Sequence, residues 1–382
     1  MTKSIIFWLV TYPRSIAGTI KYLSDHYNVT CFCLDAKIDP MRIKMGWGYD
    51  SIGNAQLIDL STIDNKEQYI QEKLSNLDND SLHFMLGYRN AGINKYVYKY
   101  VLPNNKNVAV IAERRTEYGL PIYKRILSSI FYYTQTLRIR SKVKFLLAMG
   151  TLGVKSYNLL GWDKDKVMPF IYHKVTKLDD SVTLESNTSI QHQDRPIRFL
   201  YVGRYDKRKG SDILKGAFSK LKGKSGWTLD LVGANGELMD TMVEWANSVD
   251  AVNYLGVWDS IEVSQNTSLY DVCLVPSRDD GWGMFVTESI ESGVGCITTD
   301  TTGAKDLVSS SHAGIVVNPG DVDELYDAIK KCIDSPNLVK EWKNMALKYR
   351  DRISDEAIGE YVISCIKFFV DKSGSRPQCP WI

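Results

Sequence analysis

The chain has 382 residues, too many for one ordinary core and enough for two domains of about 150–200 residues each. Its 44% hydrophobic and 24% charged content is that of a folded globular chain, which excludes a disordered class, and it holds no run of ~20 apolar residues that would make a spanning helix. The net charge of +2 hides an asymmetry: residues 1–174 carry 24 Lys and Arg against 14 Asp and Glu (24 − 14 = +10), so the remainder carries −8, and the basic half points to an anionic partner.

Ser4–Val10 reads as a first buried strand rather than a signal peptide. Its apolar run stops at Thr11 and Tyr12, and Pro13-Arg14 follow without a small-residue cleavage pattern. A helix over about Ala17–His26 and a strand at Val29–Leu34 come next. Further strands are predicted at Gln56–Leu60, His83–Gly87, Val108–Ala112, Lys144–Met149 and Val167–Ile171, mostly with helical stretches between them. This alternation predicts a parallel sheet covered on both faces. The polar stretch Thr176–Pro196 breaks the rhythm and reads as a linker. Alternation restarts with a strand at Ile197–Gly203, a helix at Ser211–Lys220, a strand at Trp227–Val232, a helix at Glu237–Asn247 and a strand at Val252–Leu255. Strands at Asp271–Val275, Cys296–Thr299 and Gly314–Val317 complete it, and Asp355–Val370 reads as an amphipathic helix. The fold class is therefore α/β, with two doubly wound Rossmann-like domains, residues 1–175 and 197–354, joined by the linker 176–196. Such sheets bind ligands beyond the C-terminal ends of their strands, so two facing sheets would enclose a cleft. The seven cysteines are odd in number and scattered, which fits buried free thiols in a reducing cytoplasm.

Three clusters in the second half sit at predicted strand ends. Val202-Gly203-Arg204-Tyr205-Asp206-Lys207-Arg208-Lys209-Gly210 follows a strand and precedes a helix. Gly203 permits a tight exit, and Arg204 and Lys209 flank the loop with two cations that suit a diphosphate; a solvated basic loop would look the same. Leu231-Val232-Gly233-Ala234-Asn235-Gly236 is a glycine-rich turn into a helix, where a backbone and a helix N-terminus can meet an anion. The third is Asp280-Gly281-Trp282-Gly283-Met284-Phe285-Val286-Thr287-Glu288, with a helix starting near Phe285 or Val286. Its glycines strip side chains from the turn, leaving the N–H groups of Gly283 and Met284 for a hydroxyl or phosphate. Asp280 and Glu288 bracket the turn, one placed to take sugar hydroxyls and the other a ribose diol.

Order and spacing of these clusters resemble the C-terminal domain of the retaining glycosyltransferases of family 4, the group 1 transferases with a GT-B fold. The family's Gly-Arg-x-x-x-x-Lys-Gly is met by Gly203, Arg204, Lys209 and Gly210, and its Glu-Gly-Phe-Gly turn with a second Glu by Asp280-Gly281-Trp282-Gly283 and Glu288. Ser292-Gly293, Thr302-Gly303-Ala304-Lys305-Asp306-Leu307-Val308 and Gly314–Asp321 continue the match, which is close over residues 197 to about 335. The resemblance implies a sugar moved from a UDP- or GDP-sugar donor to a glycan or lipid-linked acceptor in polysaccharide assembly, without cofactor or metal. Arg204 and Lys209 would bind the donor diphosphate, Asp280 the transferred sugar and Glu288 the ribose. Gly233, Gly281, Trp282, Gly283, Met284 and Phe285 would complete the donor site, with Leu255-Gly256-Val257 near the base. It also implies that the last helix, within about 355–382, packs back on the first domain. Asp280 is one methylene shorter than the family's Glu, a departure compatible with the same role, another donor or lost activity.

The first domain would bind the acceptor, with Arg14 and Gly18 after the first strand and Glu113 after the strand Val108–Ala112 as candidates; Glu113 also reads as a partner for Arg114 and Arg115. Residues 114–144 hold eight cations and one acid, Glu117, interleaved with Ile, Leu, Phe and Tyr. That composition fits an anionic membrane surface, or a helix packed by its apolar face on its own domain. No recognised module points to nucleic acid. The expected location is the cytoplasm, with a peripheral place on the membrane's inner face. Asp78-Asn79-Asp80, Asp163-Lys164-Asp165 and Asp321-Val322-Asp323 have the spacing of a metal-dependent transferase but read as turns and caps. The competing functions are a GT-B epimerase and a catalytically silent subunit that binds a sugar nucleotide or glycan.

Overall fold

The structure is a computed structural model and describes residues 1–37, 49–77, 80–104, 106–173 and 195–382. Of these, a first unit takes the residues of 1–173 together with Ser354–Pro380. A second takes those of 195–353 with Trp381–Ile382. Apart from Arg195 and Pro196, the linker expected at 176–196 lies outside the described residues, as do Asp78 and Asn79.

The first unit is built on a seven-stranded sheet in the order β3-β2-β1-β4-β5-β6-β7, every pairing parallel. The strands are β1 (Ser4–Leu9), β2 (Asn28–Cys33), β3 (Gln56–Asp59), β4 (Leu82–Leu86), β5 (Asn107–Ala112), β6 (Val143–Met149) and β7 (Val167–Phe170). Central strand β1 reads Ser-Ile-Ile-Phe-Trp-Leu and is buried throughout, because a parallel sheet covered on both faces has no solvent side. Phe7 stacks on Phe84 and Trp8 on Phe32, each pair with ring centroids 4.9 Å apart. Trp8 Nε1 donates to His83 Nδ1 at 3.2 Å, and burial pushes the His83 imidazole down to about 3, so it sits neutral in the core.

The flanking helices include α1 (Ala17–Ser24), α2 (Lys66–Ser75), α3 (Ile122–Ile139) and α4 (Gly150–Leu159). In the second unit, a six-stranded parallel sheet runs β10-β9-β8-β11-β12-β13. Its strands are β8 (Ile197–Val202), β9 (Trp227–Val232), β10 (Val252–Tyr254), β11 (Val272–Val275), β12 (Gly295–Thr299) and β13 (Gly314–Val317). Helices α5 (Ser211–Ser219), α6 (Met239–Asn247), α7 (Ser260–Asn266), α8 (Met284–Glu291), α9 (Lys305–Ser311), α10 (Val322–Asp334) and α11 (Pro336–Tyr349) connect or flank them. Both sheets are doubly wound, and the order reverses at β1/β4 in one and at β8/β11 in the other.

The last helix, α12 (Asp355–Phe369), lies in the first unit against α1. Glycines bring the two close: a Cβ on Gly18 would stand 1.7 Å from the Asp355 carboxylate, and one on Gly359 would stand 2.1 Å from the Tyr22 ring. The Tyr22 hydroxyl donates to Glu360 at 2.7 Å.

Candidate functional site

Two loops leave the second sheet at its switch point, residues 203–210 after β8 and 276–283 after β11. Gly210 has φ 75° and no room for a side chain, since a Cβ would stand 1.9 Å from the Pro276 carbonyl oxygen. Arg278 N–H donates to the Arg208 carbonyl at 2.7 Å, and Arg208 Nη1 donates to the Asp279 carbonyl at 3.1 Å. The Arg278 guanidinium forks onto Asp212 at 2.6 and 2.7 Å, while its Nη1 also donates to the Lys207 carbonyl. Burial works to raise the Asp212 carboxyl, but the Arg278 hydrogen bonds and charge outweigh it and hold it below the ordinary value.

Within this frame Lys209 Nζ donates to Asp280 Oδ2 at 2.5 Å, and the Ser277 hydroxyl lies 3.5 Å from the same oxygen. Asp280 is 8% exposed, so its carboxylate is held rather than waving. Arg204 differs: its side chain is 61% exposed, with Nε 3.4 Å from the buried Asp206 carboxylate. Asp206 Oδ1 accepts the Lys209 N–H at 2.7 Å, which shapes the turn between the two cations.

Helix α8 begins at the end of the second loop. Gly283, its N-cap, has φ 93°, and a Cβ there would stand 2.5 Å from Thr302. Gly281 and Trp282 lie on the Gly303 backbone so tightly that a Cβ on Gly303 would sit 2.3 Å from the Gly281 oxygen. Gly303 N–H donates to the Asp280 carbonyl at 3.2 Å, and Ala304 N–H donates to that of Trp282 at 2.8 Å. The helix start, Met284, falls one or two residues before the predicted one. Glu288 is therefore one turn into α8, half-buried.

On the other side of β8, Gly233 packs its Cα on Gly203; a Cβ would meet the Gly203 carbonyl at 1.9 Å. Gly233 N–H donates to the Gly256 carbonyl at 2.7 Å. Leu255 and Val257 beyond β10 leave apolar side chains exposed at this edge. The ends of β10, β9, β8 and β11 thus carry Val257, Gly233, Gly203 with Arg204 and Lys209, and the Asp280 turn with α8, along one sheet edge.

Two candidates take another place. The Trp282 ring is buried and its Nε1 donates to Thr287 Oγ1 at 3.0 Å, so the indole anchors the turn onto α8. Phe285 is also buried. Arg278, Asp212 and Asp206 hold the loops without having been singled out in the sequence, and only their partners across two loops give them away; Gly303, which also holds them, stood in the matched motif Thr302–Val308.

In the first unit, Arg14 Nε lies 3.1 Å from Asp50 Oδ2. Gly18 faces the Asp355 carboxylate, whose Oδ1 is 2.8 Å from His173 Nε2, so a side chain of α12 fills the space the glycine leaves. Glu113 is exposed, its carbonyl accepts from the Tyr157 hydroxyl, and its side chain hydrogen-bonds Tyr172. Arg115 pairs with Glu117. Asp163 and Asp321 cap helical turns, accepting from Asp165 and from Asp323 and Glu324. A cavity of about 900 Å³ opens among Lys106, Lys142, Lys144, Lys166, Lys372 and Arg376, with Asp163 and Asp165 beside them and Phe368 and Phe369 as apolar lining. It lies at the N-terminal ends of β5, β6 and β7, away from that sheet's C-terminal edge; of its cations only Lys142 and Lys144 fall in the basic run 114–144, and the others are scattered along the sequence. All seven cysteines are free, six of them buried.

Residues 184–349 match the family model described as "Glycosyl transferases group 1". The Staphylococcus aureus capsular polysaccharide biosynthesis glycosyltransferase CapM is 28% identical over 186 residues, 46% of this chain and 47% of that protein. A Mycobacterium tuberculosis GDP-mannose-dependent alpha-(1-6)-phosphatidylinositol monomannoside mannosyltransferase is 26% identical over 228 residues, 56% of each chain. The chain thus matches about half the length of these relatives. Among solved structures, Anabaena Alr3699/HepE in complex with UDP aligns with a TM-score of 0.70 at 12% identity, covering 96% of this chain and all of that one. This likeness shows a shared fold, that of GT-B transferases.

Proposed function

We propose, from the match of residues 184–349 to the group 1 glycosyl transferases, that the chain is a member of that family and moves a sugar from a UDP- or GDP-sugar to a glycan or lipid-linked acceptor in polysaccharide assembly. The observation that carries the reading is the second unit's edge, where Arg204, Lys209, Asp280 and the N-terminus of α8 converge at the β8/β11 switch point. Arg204 and Lys209 bind the diphosphate, Glu288 the ribose diol, and the backbone beside Val257 the base. The relatives' printed names support both bases, since HepE was solved with UDP and the mycobacterial enzyme is named for GDP-mannose. CapM's name supports a surface polysaccharide as the setting, and the cytoplasm as the place fits the free thiols.

The chemistry is electrostatic. The bond between anomeric carbon and phosphate oxygen breaks with its electron pair on the diphosphate. The acceptor oxygen bonds the anomeric carbon on the same face, and its proton passes to the departing phosphate. Arg204, Lys209 and the α8 N-terminus stabilise the charge that builds on the diphosphate. Lys209 is paired with Asp280, so donor binding draws the ammonium toward the diphosphate and releases the carboxylate to the sugar hydroxyls. The same ion pair favours a second reading, a silent subunit that binds nucleotide without turnover, because it occupies both groups.

Nucleoside diphosphate release from a panel of UDP- and GDP-sugars tests the reading. Turnover of at least one donor, lowered by about two orders of magnitude in Arg204→Ala, is expected. Nucleotide binding without any release would favour the silent subunit, and neither binding nor release would refute both.

A further inference from the structure

Helix α3 (Ile122–Ile139) is built inside out. At about 100° per residue, Ile122, Tyr133, Ile126 and Leu137 fall on one quarter of its circumference. Ile130, Tyr123, Leu127 and Phe131 continue the arc to about half a turn. All eight are exposed, Ile122 at 71% and Leu127 at 62%. The opposite half is the one turned to the domain, and it is mostly polar. Gln135 and Thr136 are buried there with Ile139, Thr136 donates to the Tyr88 hydroxyl at 3.3 Å, and Arg115 reaches Ser128 and Ser129 at 2.8 and 2.9 Å while lying over the Tyr132 ring. A water-facing helix has the reverse pattern. Among the described residues, ten of the twenty large exposed apolar side chains lie between Tyr118 and Leu137. The sequence alternative, in which this apolar face packs on its own domain, is thereby excluded.

Charge says what covers the face. On the same projection Lys124 and Arg138 border the arc at its Phe131 side, and Arg140 borders it at its Ile122 side. No acid occurs between Glu117 and Asp163. Beyond α3 the chain enters Ser141–Lys144, which line the cavity that also gathers Lys106, Lys166 and Arg376. A second copy of the chain would bring the same cations against these. We propose that α3 lies in the interface of an anionic phospholipid membrane, its apolar arc at the acyl boundary and its bordering cations, with the lysines of 141–144, at the headgroups. The proposal is independent of the donor site. No helix among the described residues is long and apolar enough to cross the bilayer, so this is attachment at one surface.

The test is co-sedimentation of the full chain with vesicles of phosphatidylcholine alone or with phosphatidylglycerol, at low and high salt. Binding only to the anionic vesicles, and weakened at high salt, is expected. Lys124→Ala and Arg138→Ala each lower the partition constant about five-fold, and Ile126→Asp with Ile130→Asp abolishes it. These positions are exposed, and unchanged circular dichroism of the variants keeps the comparison valid. Absence of binding at low salt, or binding indifferent to the α3 substitutions, would overturn the proposal. So would a dimer that Ile126→Asp with Ile130→Asp dissolves in a chain that binds no vesicles.

Discussion

The two units share a strand order and differ in what stands at their loops. At the second unit's switch point, two loops are stitched by Arg278 and Arg208 into one polar edge that includes Lys209, the exposed Arg204 and the start of α8. In the first unit the corresponding glycine, Gly18, is covered by Asp355, and the conspicuous surface is the outward apolar face of α3. The same scaffold thus carries a polar, cation-bearing edge in one unit and an outward apolar face in the other, and the two differ in their loops and helix faces rather than in their sheets.

If the units divide their work this way, damage to one should spare the other's task. The largest effect is expected from Trp8→Ala, which empties the first unit's core beside Phe32 and should cost about 3–5 kcal/mol in urea unfolding. Folded protein of this variant should still bind nucleotide; loss of nucleotide binding below the unfolding midpoint would break the division. Next, Lys209→Ala should lower donor turnover by about 10²–10³-fold with the urea midpoint unchanged. A shifted midpoint would make Lys209 a structural stitch like Arg278.

The pH response should also belong to the first unit. His83 has a folded-state value of about 3, below its ordinary 6.5. Its burial therefore contributes full stability above pH 6.5, and that contribution is lost as pH falls through the window from 6.5 toward 3. Between pH 7 and 5 the loss amounts to about 2 kcal/mol. His83→Asn keeps an acceptor for Trp8 and should remove this slope, so the stability gap between the two proteins narrows by that amount on acidification; a constant gap would mean that His83 does not carry it. The smallest effect is expected from Trp282→Phe, which loses the buried bond to Thr287 and should cost about 1 kcal/mol in unfolding of the second unit. A large fall in nucleotide affinity with stability intact would instead put the indole on the ligand.

Much of the fold was legible because period and punctuation agree. Apolar runs such as Ser4–Leu9 and Val272–Val275, separated by helical stretches, are what a covered parallel sheet requires. Glycines after strands, as at Gly203 and Gly233, marked the loops that share one edge. What escaped notice depends on partners far apart in sequence. Gly18 reads as open ground until Asp355 arrives, Trp282 reads as a ligand contact until its nitrogen finds Thr287, and Arg278 is an ordinary surface cation until it bridges two loops. The composition of α3 was plain, but its direction was not, since an apolar face packed inward and one turned outward have the same residues.

Calorimetric titration of UDP and GDP into the full chain tests the central claim most directly. One nucleotide should bind at one site per chain, with at least ten-fold weaker binding in Lys209→Ala and unaltered binding in Ile126→Asp with Ile130→Asp. If neither nucleotide binds, or if Lys209→Ala binds as well as the parent, the β8/β11 edge is not the donor site.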